Sequence, residues 1–207
     1  MNDNELEKFF LYPNGTLRNK LNILDAEALK DYEYKEVAKH ELFYLQRKPR
    51  PYPKTFANLI KIHKFLFQNI YEWAGTVRNY NLSKNGYTFL EPDRFGYAIQ
   101  NIDNLLVNAS KIKTLSAEQY AVILDELNYI HPFREGNGRS TKLFVQSFAA
   151  NHQQIICYPR HNDEMIEALN DADVGKISKL LSLKNTRTKD IAFQYLYNQK
   201  KKQSHKR

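Results

Sequence analysis

The sequence predicts a mainly α-helical domain that carries one β-hairpin. Most segments place apolar residues at the 3.6-residue spacing of a helix, which favours several helices around a shared core. One segment changes to β-prone residues around an Asn-Gly pair at positions 85–86, and this pair is typical of a tight hairpin turn. The chain has 207 residues, of which 42% are hydrophobic and one is cysteine, so a core can form without a disulfide framework.

Two helices are predicted in the first third of the chain. The first begins after Asp25, which can cap it, and ends near Arg47, because three prolines follow within residues 49–53. Its inward positions are Leu29, Tyr32, Val37, His40 and Tyr44. The second helix is predicted over residues 55–73 and is closed by Gly75. Its inward positions are Phe56, Leu59, Ile60, His63, Phe67, Ile70 and Tyr71.

The predicted hairpin pairs residues 76–82 with residues 87–90. The turn between them is residues 83–86, with the sequence SKNG, in which both Asn and Gly tolerate positive φ. A single hairpin is marginally stable in water. We therefore expect it to pack on the helices or to move for a functional purpose.

The second half of the chain is predicted to be helical. Pro92 suits the first turn of a third helix, and Ser116 opens a fourth through a capping box. After a loop at 131–138, a further helix is predicted from Arg139 to Asn151. Two or three shorter helices are predicted within residues 161–199.

The domain organisation follows from the lack of an internal repeat or linker. One domain is predicted over residues 1–190, and residues 1–24 form a leader segment packed on it. Residues 191–207 are the end of the last helix and a basic tail.

The net charge of +8 belongs to the C-terminal end of the chain. Residues 176–207 carry +9, whereas the preceding 175 residues carry −1. Such a tail is either a solvated end or a surface for an acidic partner or nucleic acid. A signal peptide and a transmembrane helix are not predicted, since no apolar run has the length for either. The expected location is the cytoplasm.

The stretch from His131 to Lys142 combines several features of a nucleotide site. Gly-Asn-Gly at 136–138 precedes a helix, whose free N–H groups and dipole attract anions. Arg139 and Lys142 lie three residues apart, on one helical face. Glu135 beside a phosphate requires a cation between them, which indicates Mg²⁺. His131 titrates near neutral pH and is a candidate general base.

Residues 131–139 read HPFREGNGR and match the signature HPFx(D/E)GNGR of the Fic family at every fixed position. Two more segments resemble this family: residues 70–75 (IYEWAG) before the hairpin, and residues 12–21 (YPNGTLRNKL) near the start. The opening is similar to that of bacterial Fic toxins and related translocated effectors. The resemblance covers roughly residues 10–190 and implies a Fic-type helical bundle with the hairpin as a flap over the active site.

The resemblance implies a protein adenylyltransferase, which transfers AMP from ATP to a Ser, Thr or Tyr hydroxyl of a target protein and releases pyrophosphate. His131 would be the general base, and Glu135 would hold Mg²⁺. Nucleotide binding would involve Arg134, Gly136, Asn137, Gly138, Arg139 and Lys142, with Gly136 to Gly138 cradling the phosphates through backbone and amide donors. Phe133 would anchor the loop in the core. Tyr87, Thr88 and Phe89 of the flap would align the target by strand addition.

Lys142 stands where many family members have arginine, and lysine keeps the charge but not the bidentate fork. Many members also carry an inhibitory helix with a glutamate. The chain contains no Glu after Glu167, so a C-terminal helix of this kind is not expected. In toxin–antitoxin members a small antitoxin supplies this helix, and we expect such a partner here.

Four alternatives remain open. A Doc-like kinase uses the same fold, but its motif replaces the second Gly of GNG by Lys, and this chain keeps Gly138. The motif reads phosphates, so another nucleotide could serve as the donor. A host-directed effector would use the same chemistry on another cell's protein. A nucleic-acid-binding module would act through the basic tail.

Overall fold

The computed structural model describes residues 3–84, 86–159 and 163–204. Helices packed around one apolar core make up most of these residues, as the sequence predicts. The helices are α1 (Asp3–Phe10), α2 (Ala26–Gln46), α3 (Phe56–Phe67), α4 (Phe95–Ala109), α5 (Ala117–Ile130), α6 (Asn137–Asn151), α7 (Asp163–Asn170), α8 (Val174–Leu180) and α9 (Lys189–Ser204). A 3-10 turn at Pro92–Arg94 leads into α4.

Helix α2 begins where the sequence predicts. The side chain of Asp25 accepts a hydrogen bond from the N–H of Ala28 at 2.7 Å, which caps the first turn. The helix ends at Gln46, one residue before the predicted end. Its inward face carries Glu33 as well as the expected apolar residues.

Helix α3 is shorter than predicted, because it ends at Phe67 and not near residue 73. The chain then folds back, and the N–H of Gly75 donates to Nδ1 of His63 at 2.8 Å. Gly75 has φ +81°, and a Cβ on it would lie 2.7 Å from the Cβ of Lys64. Such a close approach is possible only if the helix stops before this segment.

The β-hairpin is also shorter than predicted. Its strands are β1 (Ser83–Lys84) and β2 (Tyr87–Thr88), which pair antiparallel, with Ser83 opposite Thr88. The residues predicted as the turn thus include the first strand, and residues 76–82 are not a strand. We call residues 81–89 the flap. Arg78, which precedes the flap, is buried, and its guanidinium donates hydrogen bonds to backbone carbonyls such as that of His131.

Helices α5 and α6 form the centre of the core. Ser116 caps α5 as predicted, since its Oγ accepts the N–H of Gln119 at 3.2 Å. Helix α6 begins at Asn137, two residues before the predicted start. Both α5 and α9 pack against α6. The apolar residues of α6 are fully buried: Leu143, Phe144, Val145, Phe148, Ala149 and Ala150.

A second small sheet follows α6 and was not predicted from the sequence. Strand β3 (Gln154–Cys157) pairs antiparallel with β4 (Ser182–Asn185), so that Ile155 lies opposite Lys184. Four-residue strands are too short for a clear alternation of apolar and polar residues. The helices α7, α8 and α9 agree with the two or three short helices predicted over 161–199, of which residues 161 and 162 lie outside the described residues.

Both ends of the described chain pack on the helices. Phe10 of the leader segment is buried against Trp73, and the N–H of Lys20 donates to the carbonyl of Ile70 at 2.8 Å. The basic end is helical up to Ser204, where α9 ends, and Lys200 forms a 2.6 Å ion pair with Glu41. Within the described parts of the chain, no helix is both long and apolar enough to cross a membrane.

Gly75→Ala is expected to destabilise the fold by about 1–3 kcal/mol, because alanine is strained at positive φ and its Cβ would collide with Lys64. Gly96→Ala, in the first turn of α4, is the matched control. Its Cβ meets nothing within 4 Å, and the change should stabilise by about 0.5 kcal/mol. Urea unfolding of both variants should give midpoints on opposite sides of the wild type. Equal midpoints would contradict the close packing at Gly75.

Candidate active site

His131 follows α5 as its C-terminal cap and has a left-handed backbone conformation, with φ 39° and ψ 63°. Its imidazole stacks on the ring of Phe89, with 3.6 Å between the ring centroids. Burial lowers the pKa of His131 to about 4, because water no longer solvates the charged ring. The ring is therefore neutral near pH 7, and a neutral imidazole can accept a proton.

The side chain of Asn137 closes the loop that follows His131. Its Oδ1 accepts the N–H of Phe133 at 2.9 Å, and its Nδ2 donates to the carbonyl of Phe133 at 2.7 Å. One N–H of this amide is thus used within the loop, and a role of Asn137 toward a phosphate stays a prediction.

His63 of α3 holds the same loop from below. Its Nδ1 accepts the N–H of Gly75, so in the neutral ring Nε2 carries the proton and donates to the carbonyl of Glu135 at 2.9 Å. Burial lowers its pKa to about 4. The ring also stacks on Phe133 at 3.7 Å, and Phe133 is fully buried, which confirms it as the predicted core anchor.

The carboxylate of Glu135 lies between three donors. Its Oε1 accepts the N–H of Gly136 at 2.9 Å and lies 3.7 Å from Nη2 of Arg139, while its Oε2 lies 3.3 Å from Nζ of Lys84 in the flap. Burial alone would raise the pKa of Glu135, but these donors outweigh burial and keep the pKa below its usual value. Glu135 is therefore ionised near neutral pH.

Arg139, the predicted phosphate clamp, already faces a buried carboxylate. Oε1 of Glu33 lies 2.5 Å from its Nη1, and the hydroxyl of Tyr71 donates to Oε2 of the same carboxylate. Glu33 was not identified from the sequence as a site residue. The available signal was its position in the inward stripe of α2, four residues from both Leu29 and Val37.

The anion site is predicted at the first turn of α6. Gly136 precedes it with φ +80°, and a Cβ there would lie 2.4 Å from the ring of Phe67, so only glycine fits. A Cβ on Gly138 would meet nothing within 4 Å, which leaves open space beside the free N–H groups of the helix. These N–H groups and Arg139 lie at the same helix end.

Two other predicted nucleotide residues lie in different surroundings. The guanidinium of Arg134 lies 5.7 Å from the ring centroid of Phe10, toward the leader segment. Nζ of Lys142 lies 4.5 Å above the ring centroid of Tyr158. Burial lowers the pKa of Lys142 to about 8, and the charge of Lys200 adds to this effect. A role of either residue in nucleotide binding stays a prediction.

The three predicted flap residues differ in their exposure. The hydroxyl of Thr88 is 3.0 Å from that of Ser83, and Thr88 is exposed. Tyr87 is half-buried and packs edge-on against Phe89, with 5.0 Å between the ring centroids. Phe89 is only 5% exposed and its ring stacks on His131. A role of these three residues in aligning a target by strand addition stays a prediction.

The carboxylate of Glu135 fits a magnesium ion that is shared with a nucleotide. In the described residues, no three His, Cys, Asp or Glu side chains form a metal-binding group. Magnesium is commonly held by one or two carboxylates together with phosphate oxygens. One ionised carboxylate beside an anion-binding helix end meets this requirement.

Comparison with known proteins places this site in a family. Residues 53–149 match the Fic/DOC family. A probable protein adenylyltransferase of Sinorhizobium fredii is 33% identical over 155 residues, which span 69% of this chain and 75% of the relative. A protein adenylyltransferase of Bartonella henselae is 30% identical over 196 residues, and the match spans 84% of this chain but 36% of the relative.

Solved Fic domains have the same fold. The N-terminal Fic domain of a Bartonella effector protein from Bartonella sp. AR 15-3 aligns with a TM-score of 0.75 and 25% identity, over 84% of this chain and 89% of that domain. The N-terminal Fic domain of a putative cell filamentation protein from Bartonella quintana, with bound ADP, aligns with a TM-score of 0.79 and 22% identity, over 87% and 96%. The motif at 131–139, the shared fold and the similarity to the Sinorhizobium relative together show that the chain belongs to the Fic/DOC family.

Proposed function

We propose that the chain is a protein adenylyltransferase that transfers AMP from ATP to a Ser, Thr or Tyr hydroxyl of a target protein. The observation that carries this proposal is the placement of two groups at opposite ends of one fixed loop. One is the half-buried, neutral imidazole of His131, and the other is the N-terminal end of α6 with Arg139. The names of the family relatives support the same activity.

In the proposed reaction, His131 accepts the proton of the target hydroxyl. The hydroxyl oxygen forms a bond to the α-phosphorus, and the bond from this phosphorus to the oxygen that bridges to the β-phosphate breaks. Pyrophosphate leaves with the electron pair of that bond. A base fixed within reach of the hydroxyl supplies typically 10²–10⁴-fold in rate.

The triphosphate is proposed to lie against the first turn of α6. The free N–H groups of Asn137 and Gly138 and the guanidinium of Arg139 would bind its oxygens. Glu135 would hold Mg²⁺, which neutralises phosphate charge when bound. Glu33 lies against Nη1 of the Arg139 guanidinium and Glu135 lies 3.7 Å from Nη2, so the nucleotide would share this arginine with both carboxylates.

The flap is proposed to align the target segment. Its strands are only two residues long and largely exposed, so their outer edges can pair with an extended peptide. Tyr87 and Thr88 would contact the target. Phe89 would hold His131 in place at the same time.

We further propose that the chain is the toxin of a toxin–antitoxin pair in the cytoplasm. The support is the segment at residues 12–21 (YPNGTLRNKL), which is similar to the opening of bacterial Fic toxins. A host-directed effector is the second candidate, favoured by the fold shared with translocated Bartonella effectors.

His131→Ala should reduce protein labelling at least 100-fold, because the base is lost. The measurement is transfer of ³²P from α-labelled ATP to proteins of a bacterial lysate. His152→Ala is the control, since His152 is a buried histidine at the opposite end of α6. Labelling from γ-labelled ATP in place of α-labelled ATP would indicate a kinase and contradict the proposal.

The pH dependence of kcat/KM should have its acidic limb well below pH 6, because this parameter reports the free enzyme and burial lowers the pKa of His131 to about 4. A base must be deprotonated, so the rate is retained above this pKa and lost as the pH falls through it. Rates would be measured from pH 8 to pH 5 with magnesium in excess. A limb centred near pH 6.5 would show a solvated histidine and contradict the buried base.

A small protein encoded next to this chain should co-purify with it and suppress labelling from α-labelled ATP. The expectation follows from the resemblance to Fic toxins, in which a small antitoxin supplies an inhibitory glutamate helix. Co-expression with an affinity tag on this chain, followed by mass spectrometry, tests it. A fully active protein without a co-purifying inhibitor would contradict the toxin–antitoxin assignment while leaving the chemistry intact.

A further inference from the structure

Arg78 is a buried arginine for which the proposed reaction gives no role. It is 4% exposed and precedes the flap. Its guanidinium donates only to backbone carbonyl oxygens: Nη1 to Tyr80 at 2.6 Å, Nη2 to Leu90 at 2.6 Å and to Ile130 at 3.1 Å, and Nε to His131 at 2.8 Å. The ring centroid of Phe95 lies 4.8 Å from its Cζ.

The four carbonyls belong to two parts of the protein that have to keep a fixed relative position. Tyr80 and Leu90 flank the flap on either side, whereas Ile130 and His131 end α5. The backbone N–H of Arg78 adds a bond to the carbonyl of Pro132 at 2.8 Å. One residue therefore joins both ends of the flap to the backbone of the proposed base.

The charge of Arg78 is balanced by these carbonyls. Within the described residues, no Asp or Glu forms an ion pair with it. Burial lowers its pKa to about 10, so the guanidinium stays charged near pH 7. The last carbonyls of a helix carry partial negative charge and lack intrahelical donors, and α5 ends at this point. A buried arginine fits because it satisfies these carbonyls.

His131 needs this support because its backbone is in the left-handed region, which is unfavourable for a residue other than glycine. Arg78 holds the carbonyl of His131, and Phe89 of the flap covers its ring. Because Arg78 also binds Leu90, the residue after Phe89, a shift of the flap would move the ring contact.

We propose that Arg78 is a positioning residue that fixes His131 and the flap relative to each other. The base is thereby held in a fixed position relative to a target backbone that pairs with the flap. It touches neither nucleotide nor target and acts through His131 and Leu90. Lysine cannot replace it, since an ammonium group lacks the planar fork that reaches four carbonyls in different directions.

The test compares Arg78→Lys and Arg78→Gln with Arg50→Lys in the full-length chain. Arg50 is the matched control, because its side chain is 10% exposed and donates to the carbonyl of Leu45 at 2.6 Å, away from the loop of His131. All variants are assayed below their measured thermal midpoints. The readouts are the kinetics of labelling from α-labelled ATP and the affinity for magnesium AMPPNP.

Both Arg78 variants should lower kcat about 10- to 100-fold, as expected for a misplaced base, with KM for ATP and AMPPNP affinity changed less than about threefold. Arg50→Lys should keep the wild-type kcat. A kcat within threefold of wild type in both Arg78 variants would overturn the proposal. An equal loss in Arg50→Lys, or a parallel loss of AMPPNP affinity, would also overturn it.

The kinetic readout rests on the proposed function, so a second readout does not require activity. In histidine-labelled protein, the His131 signal is assigned by its loss in His131→Ala and titrated by NMR. Loosening the flap should expose the ring and raise the pKa of His131 toward 6.5 in both Arg78 variants but not in Arg50→Lys. An unchanged titration would overturn the proposal. If the wild-type protein gives no labelling from α-labelled ATP, the proposed function is rejected. The titration of His131 then still decides on the role of Arg78.

Discussion

The chemistry of this protein depends on a backbone constraint: the loop after α5 is fixed through its own peptide groups. His63 binds the carbonyl of Glu135, Asn137 binds both peptide groups of Phe133, and Arg78 binds the carbonyl of His131. Hydrogen bonds to buried peptide groups are costly to leave unmade, so each bond restricts the loop strongly. The side chains proposed to act in catalysis can therefore be few, because their positions are set by the backbone.

The same constraint explains why the two histidines of the site differ in function although burial lowers both pKa values to about 4. Both ring nitrogens of His63 are occupied, one by the N–H of Gly75 and one by the carbonyl of Glu135. Such a ring has no capacity left for proton transfer. His131 has the same neutral state, but it lies next to the flap, where a target hydroxyl would arrive.

The ion pairs of the site determine how a triphosphate could bind there. Arg139 lies between the carboxylates of Glu33 and Glu135, and Lys84 of the flap pairs with Glu135 at 3.3 Å. An anion bound to Arg139 would face both carboxylates, and Glu135 would repel it unless a cation lay between them. This arrangement favours entry of the nucleotide as its magnesium complex.

The sequence was sufficient to predict the features that depend on local signals. The cap at Asp25, the capping box of α5 and the motif at 131–139 are contiguous patterns, and the structure has them in place. The shorter α3 could not be predicted, since it ends where Gly75 folds back onto Lys64. The pairing of β3 with β4 also joins distant segments.

The supporting residues of the site were missed for a similar reason. Glu33, His63 and Arg78 lie between 61 and 106 residues before Arg139, and none of them belongs to the motif. Their roles come from contacts with peptide groups and with Arg139 that only the folded chain creates. A buried charge or histidine in an apolar helical stripe, such as Glu33 in α2, was the one available signal.

The basic C-terminal segment has a closer relation to the site than the charge count alone suggests. Helix α9 is held against the body by Lys200 on Glu41, and by Asp190 on Lys48 and Arg50. Lys200 thereby comes close enough to Lys142 to lower the pKa of its ammonium group. Lys142 lies one turn after Arg139 on α6, so the packing of α9 adds positive potential along the helix whose first turn is proposed to bind the triphosphate. At least one charge of the basic segment, that of Lys200, is thus directed toward the proposed anion site, and this use of the charge does not require nucleic acid.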